Sequence, residues 1–269
     1  MKRNRLFSIP YVGWMALFVV APIVLVVLYA FTTADGGITL SNFTRMTSYI
    51  GVFLRSFWLA FLATAICLLL GYPIAYLISR ERPRVQRVCM ALVMLPMWMN
   101  FLLRTYAWRA LLDTSGPINQ LLQWLGFPAQ QLLYTEGAVI FGLVYNFLPF
   151  MLLPIYTSFT KIDRSYVQAA EDLGANKWQT LIHVILPLTK SGIITGITMV
   201  FMPAVTTFVI SRLLGGSQTM MFGDLLENQF MLLKDWNTGS ALAVVMMVLM
   251  LISMALVRKS DEGVMPGGM

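Results

Sequence analysis

Charge is what this sequence has least of. Aspartate, glutamate, lysine and arginine together make up 12% of its 269 residues, while 58% are hydrophobic and the mean hydropathy is +0.73. A soluble domain carries about 25% charged residues, so a water-facing surface of ordinary size cannot be made from this chain, and its solvent is read as lipid. Histidine occurs once, at His183, which excludes a histidine-based metal cluster within the chain. The two cysteines, Cys67 and Cys89, sit in or beside apolar runs without C-x-x-C spacing, so neither a disulfide framework nor a zinc site is expected. No G-x-x-x-x-G-K-[ST] phosphate loop is present, because Lys190-Ser191 lacks the preceding glycines, and ATP hydrolysis by that route is excluded. Paired intramembrane carboxylates and a nucleophile–base pattern are also missing, so no catalytic residue is assigned and an enzyme is not expected. No internal repeat or low-complexity segment is evident. A cleavable signal peptide is not expected either: residues 1–5 are basic, but the apolar stretch after them is long enough to span and lacks a small-residue cleavage site.

What is present is a series of apolar runs. A span needs about 20 predominantly apolar residues. Six stretches qualify: residues 11–31, 53–79, 85–112, 138–159, 188–210 and 240–257. The formal net charge is +7. Nucleic acid is not the expected partner, since basic loops beside spans set membrane orientation. With both termini inside, most of the 19 basic residues fall on the inner side, and the short loop holding Arg80, Arg82, Arg84 and Arg87 is the strongest marker. Prolines occur within the runs at Pro22, Pro73, Pro96, Pro149, Pro154 and Pro203, predicting kinks or, if the kinks open the bundle, a cavity between helices. Gly192 and Gly196 form a G-x-x-x-G pair that permits close approach of another helix.

The inner loop 161–187 has its own pattern. Ser165 and Gln168 fit a capping box, a short helix over 166–173 follows, and Gly174 stands at its C′ position. Asn176 with Gln179 at N3 predicts a second helix start, and Trp178, Leu181, Ile182 and Ile185 then form one apolar stripe before Pro187. Such a helix–glycine–helix elbow serves either as an interfacial helix resting on the bilayer or its own bundle, or as a lever docking into another protein.

The run Gln168-Ala169-Ala170-Glu171-Asp172-Leu173-Gly174, followed by Val184-Ile185-Leu186-Pro187, resembles the EAA loop of ATP-binding-cassette (ABC) importer permeases. Gln168 stands at the family glutamate and Val184 at the family isoleucine; glutamine keeps a capping amide but not the charge. Leu70-Gly71-Tyr72-Pro73-Ile74-Ala75 resembles the start of the permease module. Trp98, Asn100, Arg104 and Tyr106, with Leu148-Pro149-Phe150-Met151 and Leu213-Leu214-Gly215-Gly216, resemble more specifically the spermidine/putrescine permeases of the first-subunit type. The resemblance implies an all-α integral membrane fold of the type I ABC importer permease (MetI-like) kind. It would be one transmembrane domain over residues 1–269, with six helices and both termini cytoplasmic, in the bacterial cytoplasmic (inner) membrane. It implies three partners: an ABC ATPase dimer engaged through 161–187, a second six-helix permease, and an extracytoplasmic solute-binding protein. Gln168, Ala169, Ala170, Asp172, Gly174 and Pro187 would couple to the ATPase, which would bind ATP and Mg²⁺; this chain itself would hold no cofactor and no metal. For a polyamine cargo, Trp98, Asn100, Arg104, Tyr106 and Tyr145 would line the pathway, the aromatic faces meeting ammonium groups, although aromatic residues at a membrane interface also serve as belt anchors. Arg104 and Arg212 suit a cationic cargo poorly and would pair with carboxylates of the second permease or contact the binding protein. Another small solute is the alternative cargo. An ion-coupled secondary transporter is disfavoured, because the charged residues near spans (Arg55, Arg104, Arg109, Lys190) lie toward span ends and not at the bilayer midplane.

Overall fold

In lipid every backbone N–H and C=O must find a partner inside the chain, which leaves the helix as the form available to separate apolar runs. The computed structural model describes residues 11–33 and 36–262. The basic residues 1–5, and the last residues of the tail expected in the cytoplasm, lie outside them. Among the described residues there is no strand, only an isolated bridge between Thr32 and Ile38. The helices of six or more residues are α1 (Tyr11–Ala30), α2 (Ile50–Arg80), α3 (Pro83–Met94), α4 (Phe101–Leu112), α5 (Pro117–Trp124), α6 (Glu136–Thr160), α7 (Arg164–Asp172), α8 (Lys177–Leu188), α9 (Lys190–Thr206), α10 (Phe222–Glu227) and α11 (Trp236–Glu262). Four helical segments are long and apolar enough to cross a membrane alone, and two bent pairs bring the number of spans to six if each pair is one span.

One bent pair lies in the run over 85–112, where Pro96 predicts a kink, and the other at the entry to the run over 188–210. After α3 the chain tightens into a 3₁₀ turn, Leu95–Trp98, and the stretch Phe101–Trp124 sets off at 91° to Pro83–Trp98. Pro96 removes an N–H from the turn. Asn100, in an extended conformation, starts the new helix by accepting from the N–H groups of Leu102 and Leu103 at 2.9 and 3.2 Å. The second pair, α8 and α9, bends by 64° at Thr189, whose buried hydroxyl donates back to the carbonyls of Ile185 and Leu186. α9 then stops at Thr206, three residues past Pro203, and Thr207 is extended.

The backbone clusters into two compact units. The first holds residues up to Phe53 together with Leu225–Ser253. Here two asparagines serve the C-terminal end of α1: Asn42 donates to the carbonyls of Ala30 and Thr32, and Asn237 to those of Tyr29 and Thr32. Asp235 accepts from the Thr238 N–H and starts α11, while also pairing with Arg45 at 3.5 Å. The second unit, Leu54–Asp224 with Met254–Met269, is built on the close pairing of α6 and α9. A Cβ on Gly192 would stand 2.2 Å from Ser158 Oγ and 2.7 Å from the Pro154 carbonyl, and one on Gly196 2.7 Å from Met151 Sδ. The G-x-x-x-G pair thus meets α6. Without a hydrophobic drive between helices in lipid, such close backbone approach supplies dispersion contacts in its place.

Candidate functional site

The elbow forms between the end of α6 and the start of α9. Its first helix, α7, is capped by Asp163, whose carboxylate accepts from the Ser165 N–H at 2.9 Å. The capping box expected at Ser165 and Gln168 does not form, because Asp163 lies two residues upstream and a carboxylate is a stronger acceptor there than a hydroxyl. Hydrogen bonds from the Ser165 backbone and hydroxyl hold the Asp163 carboxyl below its usual 3.8. α7 ends as expected. Gly174 takes φ 82°, its N–H donates to Glu171 at 2.9 Å, and that of Ala175 donates to Ala170 at 3.0 Å, the paired bonds of a Schellman turn. The second helix opens with the capping box of Asn176 and Gln179, both bonds present at 2.9 and 2.8 Å.

The expected apolar stripe of α8 divides. Ile185 is buried and Leu181 half-buried, whereas Trp178 is 72% exposed; at the corner, Leu173 is 89% exposed. Ala169, Asp172 and Pro187 are also exposed and Ala170 is half-buried. Gln168 and Glu171 turn toward a groove of about 570 Å³ that they share with Arg80, Gln86 and Lys177. Gln86 ties this end of the unit together. Its amide donates to the carbonyls of Ser79 and Glu81, and its oxygen accepts from Tyr156 of α6 at 3.0 Å. Farther in, the Tyr72 hydroxyl meets that of Thr189 at 3.2 Å.

The residues expected along the pathway separate into two groups. Trp98, 91% exposed at the break, together with Asn100 and Tyr106, lies on the surface of the chain. Arg104 turns inward and is 8% exposed. Its Nε donates to Asn146 Oδ1 at 2.9 Å, its Nη1 donates to the Pro96 carbonyl, and the guanidinium lies 5.9 and 5.7 Å from the ring centres of Phe101 and Tyr145. Tyr145 is half-buried against Trp108, ring centres 5.1 Å apart. Arg104 therefore fastens α4 to the 3₁₀ turn on the far side of the break and to α6, and dipoles with aromatic faces hold its charge. Asn146 escaped sequence reasoning; the available signal was a lone amide inside an apolar run. Tyr134, at φ 62°, carried no local signal at all.

Against known proteins, residues 68–265 match the family described as binding-protein-dependent transport system inner membrane component. The chain is 39% identical over 249 residues to the spermidine/putrescine transport system permease protein PotB of Escherichia coli (strain K12), covering 89% of this chain and 90% of that protein. With the protein of the same name from Haemophilus influenzae it shares 39% identity over 248 residues, covering 88% and 87%. Among solved structures, a bacterial ABC transporter involved in the import of the acidic polysaccharide alginate superposes with TM-score 0.77 at 18% identity over 96% of each chain, which places the two in one fold. A membrane-spanning helical chain matched on these terms over most of its length is a transport component rather than an enzyme: it belongs to the inner membrane components of binding-protein-dependent transport systems.

Proposed function

We propose that this chain is one permease half of an ATP-driven importer for a polyamine of the spermidine/putrescine kind, with the elbow at 161–187 as the seat of a cytosolic ATPase. The observation that carries the coupling role is the exposed corner of the elbow. Leu173 and Trp178 stand in the open on either side of a fixed Schellman turn, and large apolar groups so placed suit a protein cleft. Asp172 lies at the same corner, with Ala169 leaving room for close approach. Closure of the ATPase pair would then move α7 and α8 as a rigid body and swing α9 through the bend at Thr189. Gln168 lines the groove toward Arg80, so the neutral residue at the family's glutamate position contributes to the elbow's own seating. Trp98, Asn100 and Tyr106 would face the second permease and the pathway between the halves. Polyamine as the cargo is supported by the identity to permeases of that name and by these exposed rings, which suit ammonium groups.

The test is uptake of labelled spermidine and putrescine into proteoliposomes holding this chain, its second permease and the ATPase, with the binding protein outside and ATP inside. ATP-dependent uptake displaced by excess unlabelled polyamine, but not by neutral sugars or amino acids, is expected. Uptake of another solute class with none of polyamine would overturn the cargo assignment and leave the coupling role standing.

A further inference from the structure

Helix α2 and the α8–α9 pair meet where each is least supported by its own hydrogen bonds. In α2 the residue after Tyr72 is Pro73, which removes the N–H that would meet the Leu69 carbonyl and leaves the helix pliable there. In α8 the stretch Leu181–Ile185 is a π turn, closed by the Leu186 N–H on the Leu181 carbonyl, a wide form that recurs at functional sites. The 64° bend follows at Thr189, which takes φ −95° and ψ 0°, in the sparsely populated region between helical and extended backbone. Thr189 serves both helices: its N–H donates to the Ile185 carbonyl of α8, and its carbonyl accepts from the Ile193 N–H of α9, each at 3.0 Å.

A polar link joins the two weak points, the hydroxyls of Tyr72 and Thr189 standing 3.2 Å apart. A threonine hydroxyl has a single proton, and that of Thr189 points at the carbonyls of Ile185 and Leu186, at 3.0 and 3.2 Å. Its oxygen is left to accept, so Tyr72 is the donor. The aim of Tyr72 is set by packing. Its ring lies 5.2 Å from that of Phe159 near the end of α6, which also meets the Tyr76 ring at 5.5 Å. The neighbouring Gly71 lets α2 approach α6 so closely that a Cβ there would stand 3.2 Å from Met151 Cγ. Thr189 is wholly buried, so little water competes for the bond.

We propose that Tyr72 is a positioning residue for transport: its hydroxyl ties the bend at Thr189 to the proline turn of α2, so that displacement of the elbow turns α2 and α9 together. The proposal rests on the importer reading above, in which an ATPase moves the elbow. Without the tie the elbow would yield at its π turn and at Thr189 while α2 stayed behind, and part of each stroke would be lost. A pair of hydroxyls suits the task, because both rotate about their C–O bonds and the contact survives a change of angle between the helices. Tyr72 acts through Thr189, and its effect belongs to the coupling of hydrolysis to transport.

The experiment uses the complete complex of this chain, its second permease and the ATPase in proteoliposomes, with the binding protein outside and ATP inside. Uptake of labelled spermidine and hydrolysis of ATP are read from the same vesicles; should another solute prove to be the cargo, the same ratio is read with it. Tyr72→Phe keeps the ring and its packing on Phe159 and removes only the hydroxyl. Uptake per ATP hydrolysed is expected to fall about fivefold, the worth of one hydrogen bond, at an unchanged half-saturating concentration of cargo-loaded binding protein. Thr189→Val is expected to fall alike, and Thr189→Ser, which keeps a hydroxyl, to hold the wild-type ratio. Because the two groups act as a unit, Tyr72→Phe combined with Thr189→Val is expected to be no worse than the worse single change. An unchanged ratio in Tyr72→Phe overturns the proposal, and so do losses that multiply in the double variant. A variant whose uptake, hydrolysis and thermal stability fall together at constant ratio assigns the bond to packing and overturns it as well. If the valine variants fail to assemble, Tyr72→Phe decides alone. Absence of ATP-dependent uptake by the wild-type complex overturns the importer reading itself and this proposal with it.

Discussion

At the scale of single residues, glycine does two different jobs in this chain. Gly192 is required by space: any side chain would strike Ser158 and the Pro154 carbonyl, and a backbone carbonyl cannot step aside. Gly174 has nothing within 4 Å of a built Cβ, and its requirement comes from φ 82° alone. Gly192→Leu should therefore part α6 from α9 and lower the yield and thermal stability of the purified chain, read by fluorescence-detected size exclusion after heating. Gly174→Ala adds about 1–2 kcal/mol of local left-handed strain; it should cost less thermal stability than Gly192→Leu and lower uptake per ATP hydrolysed. Equal thermal losses in both variants would contradict this division of roles. Gly174 and the Asn176 cap were legible in the sequence because each depends on neighbours within a few residues. Asp163 and Ser165 both belong to residue types that cap helices and stand two apart, so the sequence does not separate them. The partner of Gly192 and Gly196 was not legible, since the spacing shows only that close approach is allowed.

The elements carry a second division, between spans that run straight and spans that break. The run over 85–112 has the composition of one helix, and Pro96 alone predicts a kink. At the 91° bend stands Arg104, whose bonds to the Pro96 carbonyl and to Asn146 join three elements. Asn146 lies 42 residues away in sequence, so no local pattern discloses that link. Replacing Arg104 by leucine would leave the Asn146 oxygen and the Pro96 carbonyl without this donor, at a cost of about 1–3 kcal/mol for each group left unsatisfied. The break should loosen, and a cysteine placed at Trp98 in a background without Cys67 and Cys89 should change its maleimide labelling rate severalfold. An unchanged rate would mean that Pro96 and Asn100 hold the bend alone. Arg104→Lys keeps the charge but has neither the planar fork nor the second bond, and is expected to resemble the leucine variant more than wild type.

For the whole molecule, the apolar composition and the six runs pointed to a polytopic helical protein, and the run from Gln168 to Pro187 pointed to its family. Which face each loop occupies rests on the distribution of lysine and arginine, which predicts that 161–187 and the Arg80–Arg87 turn share the cytoplasmic side. Single cysteines at Ser165 and at Thr114, in the cysteine-free background, should be reached by an impermeant reagent from opposite sides: Thr114 in intact cells, Ser165 only in inverted vesicles. Labelling of both from one side would overturn the topology. The division into two compact units has no counterpart in composition, for hydropathy is similar throughout and says nothing about which helices pack together. The window of α1 has none of its residues buried within the chain, and asparagines fasten its C-terminal end. A helix of that kind requires no sibling for solubility in the bilayer, since lipid tails suit its sides as well as protein does. During synthesis such a helix can settle into the membrane while later segments are still leaving the ribosome.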